Sequence, residues 1–223
     1  MAVGFYGKIP SKGDFIQRRL DRKFTQHWDS WLQSCMENSR AKLGERWLPI
    51  YLVSPIWRFA LSQNILSENV VVGVVIPSVD NVGRHFPFTL ATDIPNQTDL
   101  YRFAIEQDEW FEKLEDLALD ALSEDFNLNS FEEKLESHPD PKYIAPAKII
   151  PPTERRVGWQ HEGLSSLELL TSGLAQNVNQ SPEPHSFWWT AGSDNIEPTC
   201  LKYKGLPPQD DFAALLSGEW QHG

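Results

Sequence analysis

Two short polar segments of the chain carry the residue types that could bind a ligand or do chemistry. The first spans residues 4–19, where a Pro-Ser-Lys-Gly turn follows a short apolar strand pattern. The second spans residues 77–88, where proline, glycine and charged residues flank another turn. The candidate site residues of the two segments are Lys8, Lys12, Asp14, Arg18, Ser78, Asp80 and Arg84. Together they could line a small polar cleft that binds an anion or an acidic segment, with the Arg84 guanidinium as a fork-shaped donor.

Two other interpretations of these segments stay open. In a purely structural role, Asp14 and Asp80 would pair with nearby arginines and cap the two turns. In an enzymatic role, the second turn and His85 would form the site of an enzyme of unknown specificity. The sequence has no Gly-x-Ser-x-Gly elbow, and no second histidine follows His161 at the spacing of a zinc-binding helix. We therefore assign no catalytic residue, no metal ligand and no cofactor.

The composition limits the classes of partner. The 223 residues include 20 basic and 31 acidic side chains, which gives a net charge of −11. An acidic chain repels phosphate backbones, so we expect no nucleic-acid binding. No apolar run reaches the roughly 18 residues of a membrane helix, and no secretion signal is recognisable, so we expect a cytoplasmic protein without direct membrane insertion. The charge is uneven, because basic residues cluster before residue 24 whereas residues 106–140 are strongly acidic.

Hydrophobic periodicity predicts a helix, a group of strands and a second helix over residues 21–122. Apolar residues recur every three or four positions from a cap at Asp21 to about Leu43, which is typical of a helix with one buried face. The predicted strands are Trp47–Val53, Ile56–Leu61, Val70–Ile76 and His85–Ile94, and a helix over residues 99–122 follows them. Short connections between the strands favour hairpins and hence a mainly antiparallel sheet.

The second half of the chain has weaker patterns. Ser130-Phe-Glu-Glu133 fits a capping box for a short helix, and five prolines make residues 138–158 an extended connector or a partner-binding strap. A helix over residues 165–176, a strand pair at 187–189 and 200–203, and a last helix that stops at Gly218 complete the prediction. The predicted fold class is α+β: a mainly antiparallel sheet covered by amphipathic helices, a layered α/β sandwich, in a single domain over residues 1–223.

The motifs of the first 90 residues resemble those of one known family. They are Gly4-Phe-Tyr-Gly-Lys-Ile-Pro-Ser-Lys-Gly-Asp-Phe15, Ser54-Pro-Ile-Trp-Arg-Phe59, and Gly73–Pro77 followed by Ser78, Asp80, Gly83-Arg84 and Pro87-Phe88. Their number and order are similar to those of the TagF/ImpM family, whose members are associated with the bacterial type VI secretion system. The resemblance covers residues 4–90, and residues 91–223 carry no motif that we can place.

The resemblance implies a cytoplasmic accessory protein, not an enzyme, that represses type VI secretion after translation. The implied partner is a scaffold of the secretion system that bears a forkhead-associated domain. We assign the seven candidate site residues as its contacts or as the residues that define the contact surface. The family has no established catalytic residues, so none is transferred to this chain. A structural subunit of the secretion apparatus is the alternative to a regulator.

Overall fold

A seven-stranded antiparallel sheet forms the centre of the computed structural model, which describes residues 3–144, 148–153, 156–160 and 183–220. The strands are β1 (Gly4–Gly7), β2 (Ile16–Arg18), β3 (Trp57–Leu61), β4 (Val70–Ile76), β5 (Phe88–Ile94), β6 (Lys148–Thr153), β7 (Arg156–Gln160), β8 (His185–Thr190) and β9 (Thr199–Lys204). The order in the sheet is β2-β1-β5-β4-β3-β8-β9, and β6 pairs with β7 in a separate hairpin. Every neighbouring pair is antiparallel, which confirms the predicted fold class.

Strand β4 is buried along its whole length because helices cover both faces of the sheet. Its side chains alternate between the two cores, with Val72 and Val74 on one side and Val71 and Val75 on the other. Gly73 is required by close packing, since a Cβ atom there would lie 2.1 Å from the carbonyl oxygen of Leu90 on β5. The uninterrupted apolar sequence of this strand therefore predicts its central position correctly.

The first helical layer consists of α1 (Arg22–Leu43), α2 (Trp47–Leu52) and, after β9, the short helix α6 (Phe212–Ser217). Asp21 caps α1, because its carboxylate accepts hydrogen bonds from the backbone N–H groups of Lys23 and Phe24 at 2.8 and 3.0 Å. The buried face of α1 packs an aromatic core against the sheet. At its centre, the indole N–H of Trp28 donates to Thr89 Oγ1 of β5 at 2.9 Å. The predicted cap and extent of this helix are confirmed.

The second helical layer lies on the opposite face of the sheet and consists of α3 (Leu100–Glu106), α4 (Asp108–Asp120) and α5 (Leu128–Ser137). The prediction of one helix over residues 99–122 is wrong, because the chain breaks at Gln107. That residue is buried, and its side-chain oxygen accepts a hydrogen bond from the backbone N–H of Lys142 at 3.0 Å. The predicted capping box at Ser130 is also wrong, since Asn127 caps α5 by accepting from the N–H of Ser130 at 3.1 Å.

The segment 47–53 was predicted as a strand and is instead helix α2. Trp47 and Tyr51, four residues apart, are buried on one side, whereas Leu48 and Leu52 are exposed on the other. This is the spacing of a helix with one apolar face turned inward. Pro49 lies in the first turn, where its missing N–H removes no helical hydrogen bond. Residues 47–53 are almost all apolar, so the sequence does not distinguish the buried side of this helix from its exposed side.

The C-terminal predictions have mixed outcomes. Part of the proline-rich segment 138–158 forms the β6–β7 hairpin, whereas an extended connector without paired strands was predicted. The predicted helix over 165–176 lies outside the described residues. The strand pair is confirmed as β8 and β9, and a 3-10 turn over Gln209–Asp211 precedes α6. As predicted, α6 ends at Gly218, which adopts a left-handed conformation with φ of 73°.

Candidate partner-binding site

The two polar segments meet at one edge of the sheet. Strands β1 and β4 both pair antiparallel with β5, which lies between them, so their C-terminal ends meet at the same edge. The first loop (residues 8–14) follows β1, and the second loop (residues 77–87) connects β4 to β5. The sequence placed the two loops together, and the topology of the sheet is the reason that they are neighbours.

Asp80 is the centre of this loop pair. Its side chain is fully buried, and its carboxylate receives four hydrogen bonds. One oxygen accepts from Lys8 Nζ at 2.5 Å and from Arg84 Nε at 2.7 Å, and the other accepts from the backbone N–H groups of Val82 and Arg84 at 3.1 and 2.8 Å. A buried carboxylate without such donors would be strongly destabilising. Asp80 therefore ties the first loop to the second and also shapes the second loop.

The charged form of Asp80 is strongly favoured by these contacts. Burial alone would raise the pKa of its carboxyl group. The hydrogen bonds from Lys8, from the backbone and side chain of Arg84 and from the backbone of Val82 outweigh burial and hold the pKa well below its ordinary value. A carboxylate with so low a pKa and with both oxygens occupied has little capacity to accept a proton from a substrate.

Ser78 is buried and joins the same network through the backbone of the first loop. Its hydroxyl donates to the carbonyl oxygen of Lys8 at 2.7 Å. The hydroxyl of Tyr51 on α2 donates to the carbonyl oxygen of Ser78 and accepts from its N–H, both at 2.9 Å. Ser78 therefore links the first loop to α2. The contribution of Tyr51 was missed by the sequence analysis because its segment was read as a strand.

Hydrogen bonds to backbone carbonyl oxygens of the first loop also join the tips of the two loops. The N–H of Asn81 donates to the carbonyl oxygen of Lys12 at 3.1 Å, and Arg84 Nη2 donates to the carbonyl oxygen of Gly13. Gly83, with φ of 86°, allows the second loop to turn back on itself. Both tips are thus held in a single arrangement, which lowers the conformational entropy that a binding partner would otherwise have to remove.

The predicted site residues divide into three groups. Lys8, Ser78 and Asp80 are buried and form the interior of the loop pair. Lys12, Asp14 and Arg84 are exposed on its surface, with 59% of the Arg84 side chain accessible. Arg18 does not lie with the others. It belongs to β2, and its Nε is 3.1 Å from a carboxylate oxygen of Glu132 on α5, on the other side of the sheet.

His85 connects the second loop to the first helical layer. Its ring lies edge-on to the rings of Trp47 and Tyr51, at centroid distances of 5.8 and 5.7 Å. Burial, followed by the nearby charge of Arg40, lowers the pKa of His85 more than Asp80 raises it. Arg40 stacks on Trp47 at 4.3 Å and so completes a side-chain cluster between α1, α2 and the second loop.

A second buried charge lies on the other face of the sheet. Arg58 on β3 donates from Nε and Nη2 to the two carboxylate oxygens of Glu115 at 2.7 and 2.9 Å, and from Nη1 to Asp108. Both acidic residues belong to α4, so Arg58 fixes that helix on the sheet. Arg58 is thus an internal partner for two acidic side chains.

The described part of the chain contains neither a group of metal ligands nor a helix that could span a membrane. No group of three or more histidine, cysteine, aspartate or glutamate side chains there has the arrangement of a metal site. No helix among the same residues combines the length and the apolar character needed to cross a membrane.

The features above define a three-layer α+β protein with two ion-paired loops at one edge of its sheet. Residues 4–138 match the model of the TagF N-terminal domain, described as type VI secretion system-associated. The match covers more than half of the chain, which therefore belongs to the TagF family of type VI secretion system-associated proteins. The predicted family is confirmed, and the match continues well beyond the motifs of residues 4–90.

A solved structure supports the same fold over almost the whole chain. It is the crystal structure of PA0076 from Pseudomonas aeruginosa PAO1, which is 37% identical in sequence and superposes with a TM-score of 0.84. The alignment covers 99% of this chain and 96% of that protein, so the likeness also includes the residues beyond 138. A search of curated proteins gave no match.

Proposed function

We propose that this protein represses type VI secretion after translation by binding a scaffold of the secretion system that bears a forkhead-associated domain. The observation that carries the proposal is the loop pair: two segments far apart in sequence are locked around Asp80 and present Lys12, Asp14 and Arg84 to solvent. A surface fixed in this way is suited to protein binding. Membership of a family associated with this secretion system indicates where such a partner would be found.

We propose further that the protein acts by binding and catalyses no reaction. The candidate enzymatic cleft of the second loop gives little support to catalysis, because Ser78 and Asp80 are buried and their polar atoms are occupied by internal partners. Binding alone can repress assembly if the regulator exceeds the scaffold in amount and its concentration exceeds the dissociation constant. A cytoplasmic location follows from this role, since the scaffold is expected to be cytoplasmic.

Deletion and overexpression of the gene, with secretion as the readout, test this proposal. A repressor predicts that deletion raises secretion and that overexpression lowers it. Loss of secretion on deletion would indicate a structural subunit instead and would overturn the proposal. Calorimetry with the purified full chain and the purified scaffold provides the molecular test, in which absence of binding would exclude this partner.

A further inference from the structure

Exposed apolar side chains are concentrated at the end of the molecule that carries the loop pair. Eight large apolar residues are substantially exposed in the described part of the chain. Five of them lie on or directly after α2, directly after the first loop, or on the second loop: Phe15, Leu48, Leu52, Val53 and Val82. Scattered exposed apolar residues are common on protein surfaces, whereas their concentration at one end of a molecule is typical of an interaction site.

Side-chain contacts place α2 next to the two loops. The ring of Phe15, which follows the first loop, packs 4.8 Å from that of Phe86 on the second loop. The adjacent residue, His85, contacts the rings of Trp47 and Tyr51 on the inner side of α2. The two loops and α2 therefore lie side by side at this end of the molecule. We call the exposed residues of the two loops and of the outer side of α2 the α2–loop surface.

The outer side of α2 contributes little to the stability of the fold. Trp47 and Tyr51 bury the inner side, and the indole N–H of Trp47 donates to Ser39 Oγ at 3.0 Å. Leu48 and Leu52, one helical turn apart, are 41% and 55% exposed. Two leucines at this spacing form a small apolar ridge that the intramolecular packing leaves open.

The charge around this ridge has the opposite sign to the charge of the whole molecule. Residues 106–140 contain 13 acidic and two basic side chains, a net charge of −11 that equals the net charge of the entire chain. The remaining residues are therefore neutral in sum. On and beside the α2–loop surface, the exposed charges are those of four basic and three acidic side chains: Lys12, Arg40, Arg46 and Arg84 against Asp14, Glu45 and Glu219. Lys8 and Asp80 are buried and neutralise each other. The surface is weakly basic, and it lies across the sheet from the acidic α4–α5 layer.

We infer that the α2–loop surface docks an acidic segment of the scaffold protein that carries apolar side chains to contact Leu48 and Leu52. The inference rests on the proposed function and specifies the chemistry of the partner. An apolar contact at the centre would supply most of the affinity, whereas the surrounding cations would select acidic flanks and accelerate association. A basic partner would instead be drawn to the α4–α5 layer.

The test measures binding of the purified full chain to the purified scaffold by calorimetry. Wild type is compared with a Leu48→Ser/Leu52→Ser variant and with a matched control, Ile105→Ser/Leu119→Ser, which changes two exposed apolar residues on α3 and α4. We expect the α2 variant to bind at least about tenfold more weakly and the control to bind within about twofold of wild type. Thermal unfolding of each variant checks that the fold is intact.

A pair of charge variants tests the acidic character of the partner. Lys12→Glu is expected to weaken binding and Glu45→Lys to strengthen it, each by about threefold at low salt, with both effects reduced as salt is added. Opposite shifts would show that the docked segment is basic and would overturn the inference.

The outcomes separate this inference from the proposed function. If the α2 variant binds the scaffold as tightly as wild type does, the scaffold remains the partner, but the α2–loop surface is not where it binds and the inference is overturned. A wild-type dimer that the α2 substitutions dissociate would assign the surface to a second copy of the chain and also overturn the inference. Absence of any wild-type binding to the scaffold would remove both proposals.

Discussion

Asp80 and Arg58 are two buried charges of opposite sign: Asp80 lies in the loop after β4, and Arg58 lies on the face of the sheet that α4 covers. The Asp80 carboxylate is enclosed by Lys8 and Arg84, so the anion is hidden and part of its cationic partner is exposed at the surface. The Arg58 guanidinium is enclosed by acidic side chains of α4, so the cation is hidden and two-thirds of Asp108 is exposed. At each cluster, therefore, the charge exposed at the surface has the sign of the partners and not of the buried residue.

The two clusters also differ in what they hold together. Arg58 connects a strand to a helix through a bidentate contact, and it fixes one regular element on another. Asp80 connects two loops. The backbone of the second loop is held by hydrogen bonds from the N–H of Asp80 to the carbonyl oxygen of Arg84 and from the N–H of Phe86 to that of Ser78, both at 3.0 Å, and the Asp80 carboxylate adds the contacts that join this loop to the first. We conclude that the Arg58 cluster mainly supports the fold, whereas the Asp80 cluster mainly defines a surface. The following predictions test this division of roles.

The largest loss of stability is expected for Arg58→Ala. The substitution removes the partner of Glu115 and Asp108 at a nearly buried position, which should lower the free energy of unfolding by about 3 kcal/mol. Urea unfolding followed by tryptophan fluorescence measures the change. Arg46→Ala is the control, because the Arg46–Glu219 pair is exposed on both sides and should contribute nothing measurable. Similar effects of the two substitutions would contradict a structural role for the buried arginine.

Asp80→Asn should loosen the loops more than the rest of the fold. The amide cannot neutralise Lys8 or accept the same set of hydrogen bonds, so the backbone N–H groups of Val82 and Arg84 should exchange with solvent at least about tenfold faster. Hydrogen exchange detected by mass spectrometry measures this, with Asp125→Asn, at an exposed position, as the control. Uniform acceleration over the strands would mean that Asp80 supports the whole fold equally.

The same contrast predicts a specific dependence on pH. The pKa of Asp80 is lower in the folded protein than its ordinary value of about 4. The ionised carboxylate therefore stabilises the loop pair fully above about pH 4, and this stabilisation is lost as the pH falls below that value. In wild type, the protection of the second loop against hydrogen exchange should therefore decrease as the pH falls below about 4. In Asp80→Asn the decrease over this range should be smaller. Identical profiles for the two proteins would exclude Asp80 as the titrating group.

The smallest effect is expected for Arg84→Lys. Lysine keeps the positive charge beside Asp80, while the contact to the first loop through the second guanidinium nitrogen is lost. Most of the Arg84 side chain is exposed, so the melting temperature should change by no more than about 2 °C. A modest increase in exchange of the loop N–H groups should be the main consequence. A large fall in melting temperature would place Arg84 with Arg58 as a support of the fold.

The sequence predicted the elements whose periodicity is set by burial. Strand β4 and helix α1 were identified because their apolar patterns reflect contact with one or two layers. The sequence did not reveal the break at Gln107 or the helix α2, since both depend on tertiary contacts. In the first case a side chain binds a distant backbone N–H, and in the second Tyr51 reaches a loop 27 residues away.

The candidate site was predicted in part. The turn residues identified the two loops, and the antiparallel order of the strands brought them together. The roles of the loop side chains could not be predicted from their spacing, because those roles depend on burial. Lys8 and Asp80 are buried, whereas Lys12 and Asp14 are exposed. Arg18 was grouped with the loops because of its sequence position, but its side chain pairs with α5.

Hydrogen exchange of the full chain, with and without the purified scaffold, tests the central claim most directly. We predict that binding protects residues 10–15, 47–53 and 80–86 and leaves α4 and α5 unchanged. Protection confined to α4 and α5, with the loop pair unaffected, would show that the partner binds the acidic face and would contradict our assignment of the binding surface.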